Sequence, residues 1–262
     1  MSRYQSILIT GASSGVGAAL ARLWAAPGRR LGLVARRAER LEDMATELRA
    51  QGAEVVCYGV DVCDEAAMAQ AVRGFVEDAR GLVLVVANAG ISRSDKLPDG
   101  LAGPGAEVIT VNVQGVMHTL LPAIPAMIQA GGGHLVTIGS VAGFRGLPGK
   151  GAYCASKAAV KTLMDAYRPI LKPHGILVST ICPGWFHSEL TENNPYPMPF
   201  IMDTGRAARK IARAIEGGRK TYIFPWQMHI ATWLMRVVPD FMMPNVYARR
   251  GKAGGQATGG RA

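Results

Sequence analysis

The chain has 262 residues, 49% of them hydrophobic, with 32 glycines and a formal net charge of +10. This composition suits one large globular domain with many close backbone approaches and excludes a disordered chain. Four of the 29 basic residues (Arg249, Arg250, Lys252, Arg261) lie in the acid-free last 14 positions, and no aromatic residues interleave with basic ones, so nucleic-acid binding is not expected.

The four cysteines form no CxxC pair, and the five histidines lack ligand spacing, so neither a metal site nor a disulfide framework is expected. "MSRYQ" leads directly into the apolar "SILIT" without the longer apolar core of a signal peptide. The expectation is a cytoplasmic protein with reduced thiols.

Apolar runs of strand length then alternate with stretches of helical spacing. "SILIT" precedes a helix over 14–26, "RLGLVA" one over 37–51, "AEVVCYGV" one over 64–79, and "LVLVVANAG" one over 103–130. "HLVTIGS" follows, then a helix from about 151, "ILVSTICPG", a helix near 204–217, and "TYIF". Near-continuous Val/Ile/Leu runs suit strands buried on both faces, and the alternation implies right-handed crossovers into a parallel sheet. The predicted fold is α/β: a doubly wound, Rossmann-type parallel sheet of about seven strands, with helices on both faces.

"TGASSGVG" (10–17) lies between the first strand and first helix. Gly11, Gly15 and Gly17 allow the backbone to turn sharply and approach a pyrophosphate, and Ser13, Ser14 and Val16 open a helix whose amides face the anion. The second strand ends at Arg36 and Arg37, where an NAD-binding protein usually places an acid. Guanidinium groups suit a 2′-phosphate in charge and shape, so the expected coenzyme is NADP(H). Asp61 after the third strand is placed to accept from the adenine amino group, with Val62 left for the ring. In "AYCASKAA" (152–159) Tyr153 and Lys157 are four apart in an alanine-rich helical stretch, which puts both on one face.

These segments, with "NAG" at 88–90, Asn112 in "VNVQG", Ser140 in "IGSVAG" and "PG" at 183–184, closely resemble the short-chain dehydrogenase/reductase family over roughly residues 5–224. Val16 and Ser188 depart from the usual isoleucine and threonine. The resemblance implies that Tyr153 is the general acid or base for hydride transfer between the nicotinamide and a carbonyl or alcohol carbon. Lys157 would lower the Tyr153 pKa and hold the nicotinamide ribose. Ser140 would orient the carbonyl, and Asn112 would hold a water linked to Lys157. It also implies that Asn88, Ala89, Gly90, Pro183, Gly184, Phe186 and Ser188 border the cofactor, and that the protein is a homodimer or homotetramer. A non-catalytic NADP(H)-binding redox sensor is the alternative. Such a protein would be expected to have lost Ser140, Tyr153 or Lys157.

The family's substrate loop corresponds to 193–203, where Tyr196, Met198 and Phe200, with Phe144 and Trp185, supply an apolar lining. A small lipophilic carbonyl or alcohol is therefore expected. The resemblance ends near 224, leaving a catalytic domain at 1–224, an apolar extension at 225–248 and a Gly-rich basic tail at 249–262 expected to be disordered. In the extension, Trp226, Ile230, Trp233 and Val237 form one helical stripe, with Met228 and Met235 roughly opposite. Three roles suit it: closing the pocket, joining subunits, or lying on a membrane with the basic tail on anionic headgroups.

Overall fold

The computed structural model describes residues 3–95, 97–189, 191–192 and 198–238. Its sheet contains β1 (Ser6–Thr10), β2 (Arg30–Val34), β3 (Glu54–Tyr58), β4 (Val83–Ala87), β5 (Gly133–Ile138), β6 (Ile176–Pro183) and β7 (Thr221–Phe224). All neighbouring strands run parallel in the order β3-β2-β1-β4-β5-β6-β7. Every residue of β1, β2, β4 and β5 is buried, because helices cover both sheet faces and leave nothing for water.

The helices are α1 (Gly15–Trp24), α2 (Ala38–Ala50), α3 (Glu65–Glu77), α4 (Gly103–Ile109), α5 (Gly115–Leu120), α6 (Ile124–Gln129), α7 (Gly151–Leu171), α8 (Thr204–Glu216) and α9 (Trp226–Val237). Leu20 and Trp24 of α1, Leu41 and Leu48 of α2, and Ile211 and Ile215 of α8 share one core. Phe75 of α3, Leu120 of α5, Met127 of α6 and Val160 and Met164 of α7 share the opposite one. The expected helix over 103–130 is continuous but not uniformly α. Thr110–Gln114 is a π-helical turn and Leu121–Ala123 a 3₁₀ turn. Such insertions often mark a functional position, and here the π turn carries Asn112.

The strand order reverses between β1 and β4, so the loops after these strands diverge and leave a crevice at their carboxyl ends. Asp64 caps α3 through Ala67 N at 3.0 Å, and Asp203 caps α8 through Arg206 N at 3.0 Å. Ser14 before α1 and Arg37 before α2 make no side-chain cap bond. The start of α1, at Ser14 and Gly15, opens on this crevice, where first-turn amides and the helix dipole favour an anion.

Candidate active site

The glycine loop is fixed by contacts that leave no room for side chains. A Cβ on Gly17 would lie 2.4 Å from Gly11 O and 2.6 Å from Asn88 Nδ2. Gly11 itself has φ +64°, and a Cβ there would meet Ala89 Cα at 2.8 Å. Asn88 completes the loop: its Nδ2 donates to Thr10 O at 2.9 Å and Gly11 O at 3.2 Å, while the Thr10 hydroxyl accepts from Asn88 N and Ala89 N. Gly15 differs from its neighbours. Its φ is +54°, and the only atom near its Cβ position is Ser188 Cβ at 3.8 Å, so its backbone borders open space.

Arg36 and Arg37 stand where the sequence places them, at the end of β2 and the start of α2. Arg36 Nη1 is 3.8 Å from Asp61 Oδ2, and Arg37 Nη2 donates to Ser13 Oγ at 3.2 Å. Asp61 lies three residues beyond the end of β3, and its Oδ1 accepts from Cys63 N at 2.9 Å. The other carboxylate oxygen, Oδ2, is the one facing Arg36. Val62 corrects the expectation of a ring contact through its side chain. It is 6% exposed, part of the core, and its Cγ2 fills the space beside Gly115.

Ser140, Tyr153, Lys157 and Asn112 converge behind this loop. Ser140 follows β5 in extended conformation; its Oγ accepts from Ala142 N at 3.1 Å, and its hydroxyl lies beside the Tyr153 phenol, whose pKa it lowers. Lys157, 7% exposed, donates from Nζ to Ile138 O at 2.9 Å and stands 5.8 Å from the Tyr153 ring centroid. A Cβ on Gly90 would lie 3.1 Å from Asn112 Oδ1 and 3.5 Å from Lys157 Nζ, so the glycine of "NAG" is what lets these groups approach.

Burial and hydrogen bonding set the character of this cluster. Burial raises the Tyr153 pKa above its ordinary value of 10.0, and the Ser140 hydrogen bond only partly opposes it. Lys157 carries its own desolvation cost, which lowers its pKa to about 8. Proximity of the two side chains therefore does not by itself make the phenol acidic. The Asn112 carboxamide is also largely committed to protein. Its Oδ1 accepts from Ile91 N at 2.8 Å, while Nδ2 donates to Ile91 O at 2.9 Å and Ser156 Oγ at 3.0 Å. Ser156 Oγ in turn donates to Tyr153 O at 2.7 Å, so the Asn112 side chain braces α7 beside Tyr153.

Asp95 has no motif to announce it. Lys150 precedes α7 without capping it, and the Asp95 carboxylate accepts instead from Gly151 N and, at 3.3 Å, from Ala152 N. A cap supplied from 56 residues away holds the turn that carries Tyr153. Thr191 is a second such residue. Its hydroxyl accepts from Ser188 N at 2.9 Å and donates to Phe186 O at 2.9 Å, tying together the segment after β6. A second hydroxyl three residues after Ser188 was its faint signal in the sequence.

Beyond β6, Pro183 ends the strand and Gly184 N donates to Phe224 O at 2.7 Å. Trp185 and Phe186 then run beside Met202, through a Met202 N to Trp185 O bond at 3.1 Å and a parallel bridge between Phe186 and Met202. A cleft of about 1030 Å³ opens between Ser13–Gly15, the outer sides of α1 and α2, and a wall that includes Ser188, Thr191 and Met198. It begins at the glycine loop and leads away from Tyr153. Phe200 is not in it: this half-exposed residue has φ +59° and faces an outer groove with Trp226, Arg206 and Lys210. The Phe144 ring lies over α7, 5.9 Å from Lys161 Nζ. Tyr196 lies outside the described residues.

The extension has the two-sided character its periodicity implies. Trp226, Ile230, Trp233 and Val237 are exposed, whereas Met228 and Met235 are half-buried and Thr232 is buried. A Cβ on Gly184 would lie 3.0 Å from Met228 Cγ, so α9 packs behind the "PG" turn. The tail lies outside the described residues.

Together, a doubly wound sheet, a glycine loop at its switch point and a Ser-Tyr-Lys cluster at the ends of β5 and α7 define a dinucleotide-binding oxidoreductase framework. The family model of the short chain dehydrogenases matches residues 5–197. An uncharacterized oxidoreductase of Myxococcus xanthus is 39% identical over 241 residues, covering 90% of this chain and 94% of that protein. A short-chain dehydrogenase from Sphingobium yanoikuyae in complex with NADPH has a TM-score of 0.76 at 27% identity, covering 98% of each chain. One from Burkholderia phymatum in complex with NAD has a TM-score of 0.79 at 26% identity, covering 94% of this chain and 96% of that one. The chain belongs to the short-chain dehydrogenase/reductase family, oxidoreductases whose fold binds nicotinamide cofactors.

Proposed function

We propose that the protein is an NADP(H)-dependent reductase or dehydrogenase acting on a lipophilic carbonyl or alcohol. The observation that carries this reading is the Ser140 hydroxyl beside the Tyr153 phenol, with buried Lys157 one turn along α7. The surroundings fit a dinucleotide: the uncapped start of α1 opens on the crevice, Gly15 borders open space, and Arg37 brings cationic charge to Ser13. When bound, the coenzyme supplies or accepts the hydride.

Gly11, Ser13, Ser14, Gly15, Val16 and Gly17 would hold its pyrophosphate, Arg36 and Arg37 its 2′-phosphate, and Asp61 its adenine. Asn88, Ala89, Gly90, Pro183, Gly184, Phe186 and Ser188 would shape the nicotinamide end. In the reducing direction the Tyr153 hydroxyl gives its proton to the substrate oxygen, while Ser140 Oγ keeps that oxygen in line. The phenolate left behind gains from the Lys157 ammonium, an interaction the neutral phenol lacks, so the benefit is greater at the transition state than before it. Because burial holds the resting phenol neutral, Tyr153 starts in the form a proton donor needs.

Trp185 and Phe186, on the segment that follows the "PG" turn, are apolar, which supports a lipophilic substrate. The packing of α9 behind Gly184 supports pocket closure as one role of the extension. Tyr153→Phe is expected to lower kcat for NADPH oxidation by ~10³-fold while the NADPH Kd stays within about twofold, in a screen of aromatic ketones, aldehydes, steroids and quinones with NADH as coenzyme control. Full turnover by the variant would overturn the role of Tyr153. Equal kcat/KM with NADH would overturn the NADP(H) preference.

A further inference from the structure

Glu189 belongs to none of the motifs, yet it is the acidic partner of the arginines at the start of α2. Its Oε1 accepts from Arg40 Nη1 at 3.1 Å and Arg37 Nη1 at 3.5 Å, and its Oε2 accepts from Arg37 Nη2 at 3.3 Å. Arg37 Nη2 also donates to Ser13 Oγ in the glycine loop. A carboxylate from the segment after β6 therefore reaches across the mouth of the cleft to α2. It engages the guanidinium group that the NADP(H) reading assigns to a 2′-phosphate. Carboxylate and phosphate oxygens make the same paired contacts with a guanidinium edge.

We propose that Glu189 is a specificity-determining residue that competes with the coenzyme 2′-phosphate for Arg37 and Arg40, so that NADP(H) must displace it and thereby frees the segment after β6 from α2. This inference rests on the NADP(H) reading of Arg37. A coenzyme without the 2′-phosphate leaves the Glu189 pairs in place. Coenzyme choice and the position of the substrate-side segment become one equilibrium, because that segment is tied to the cofactor end through this carboxylate.

The charge state and exposure of the cluster are consistent with competition. Partial burial pushes the Glu189 carboxyl upward, but the hydrogen bonds and charges of Arg37 and Arg40 outweigh it and hold the pKa below its ordinary value, so the group is ionised at neutral pH. Side-chain exposures of 43% for Arg37 and 55% for Arg40 and Glu189 mean that the pairs are solvent-screened and readily exchanged. Glu189 thus tunes phosphate binding without blocking it.

The test is fluorescence titration of the full chain with NADPH and with NADH, for the wild type, Glu189→Gln, Arg37→Ala and the double variant. Glutamine keeps the shape of this half-exposed side chain and removes its charge. Glu189→Gln is expected to tighten NADPH about fivefold and to leave NADH within about twofold; the gain should vanish in the Arg37→Ala background. An unchanged NADPH Kd, an equal gain for NADH, or a gain that survives Arg37→Ala overturns the role of Glu189. Failure of Arg37→Ala alone to weaken NADPH relative to NADH overturns the NADP(H) reading itself, and the inference falls with it.

Discussion

At the cofactor end, Gly11, Gly17, Asn88 and Ala89 meet at distances that admit no added atom, and each bond joins the β1 loop to the β4 loop. At the substrate end, Trp185, Phe186 and Met202 pair through a short bridge, Thr191 ties its own neighbours, and Phe200 turns to an outer groove. The first region is held by backbone contacts between buried strands; the second by local turns and half-exposed side chains. Shared chemistry across a family needs the first arrangement, whereas a substrate pocket can vary only where few such constraints meet. Lys157 stands between them, buried with the strands and bonded through Nζ to Ile138 O.

The largest expected effect in breaking this comparison is at Lys157. Lys157→Met should reduce turnover ~10³-fold, yet stabilise the fold at pH 7 by removing a buried charge. The pH dependence gives the sign. The folded pKa of about 8 lies below the ordinary 10.5, so between these values the unfolded chain binds more protons and wild-type stability rises with pH. The advantage of the variant should therefore shrink from pH 8 to 10.5, by about 3 kcal/mol over the whole window. Urea denaturation at pH 7, 9 and 10.5 measures it; a constant difference would mean that Lys157 is not desolvated as described.

A smaller effect tests the tight end directly. Gly17→Ala places a methyl 2.4 Å from Gly11 O, and should cost about 2–4 kcal/mol in stability while weakening NADPH binding, readable by thermal melts with and without coenzyme. The smallest effect belongs to the loose end. Phe200→Ala should leave stability within about 0.5 kcal/mol and the substrate KM within about twofold, because the ring faces the outer groove. A tenfold rise in KM would restore Phe200 to the pocket and weaken the contrast.

Much of this was legible in the sequence because strongly local patterns encode it. Alternating Val/Ile/Leu runs and helical stretches predict all seven strands of the sheet, and "TGASSGVG" and "YCASK" place their glycines and their Tyr-Lys face without reference to anything distant. Asp95, Thr191 and Glu189 escaped notice for the opposite reason. An isolated acid or hydroxyl in a loop acquires a role only from the helix start or arginine pair that folding brings to it. Val62 and Phe200 were misplaced because local sequence does not say which way a loop side chain turns.

Parallel sheet, glycine loop, arginine pair and Tyr-Lys face could be read from hydrophobic period and motif spacing, which are properties of neighbouring residues, whereas Ser140 entered only through the family resemblance. Folding, by contrast, ties the Asn112 side chain to Ile91 and Ser156, buries Lys157 deeply enough for its pKa to fall to about 8, and brings Glu189 to Arg37. Burial and charge pairing across 152 residues of separation depend on distances that only the folded chain defines.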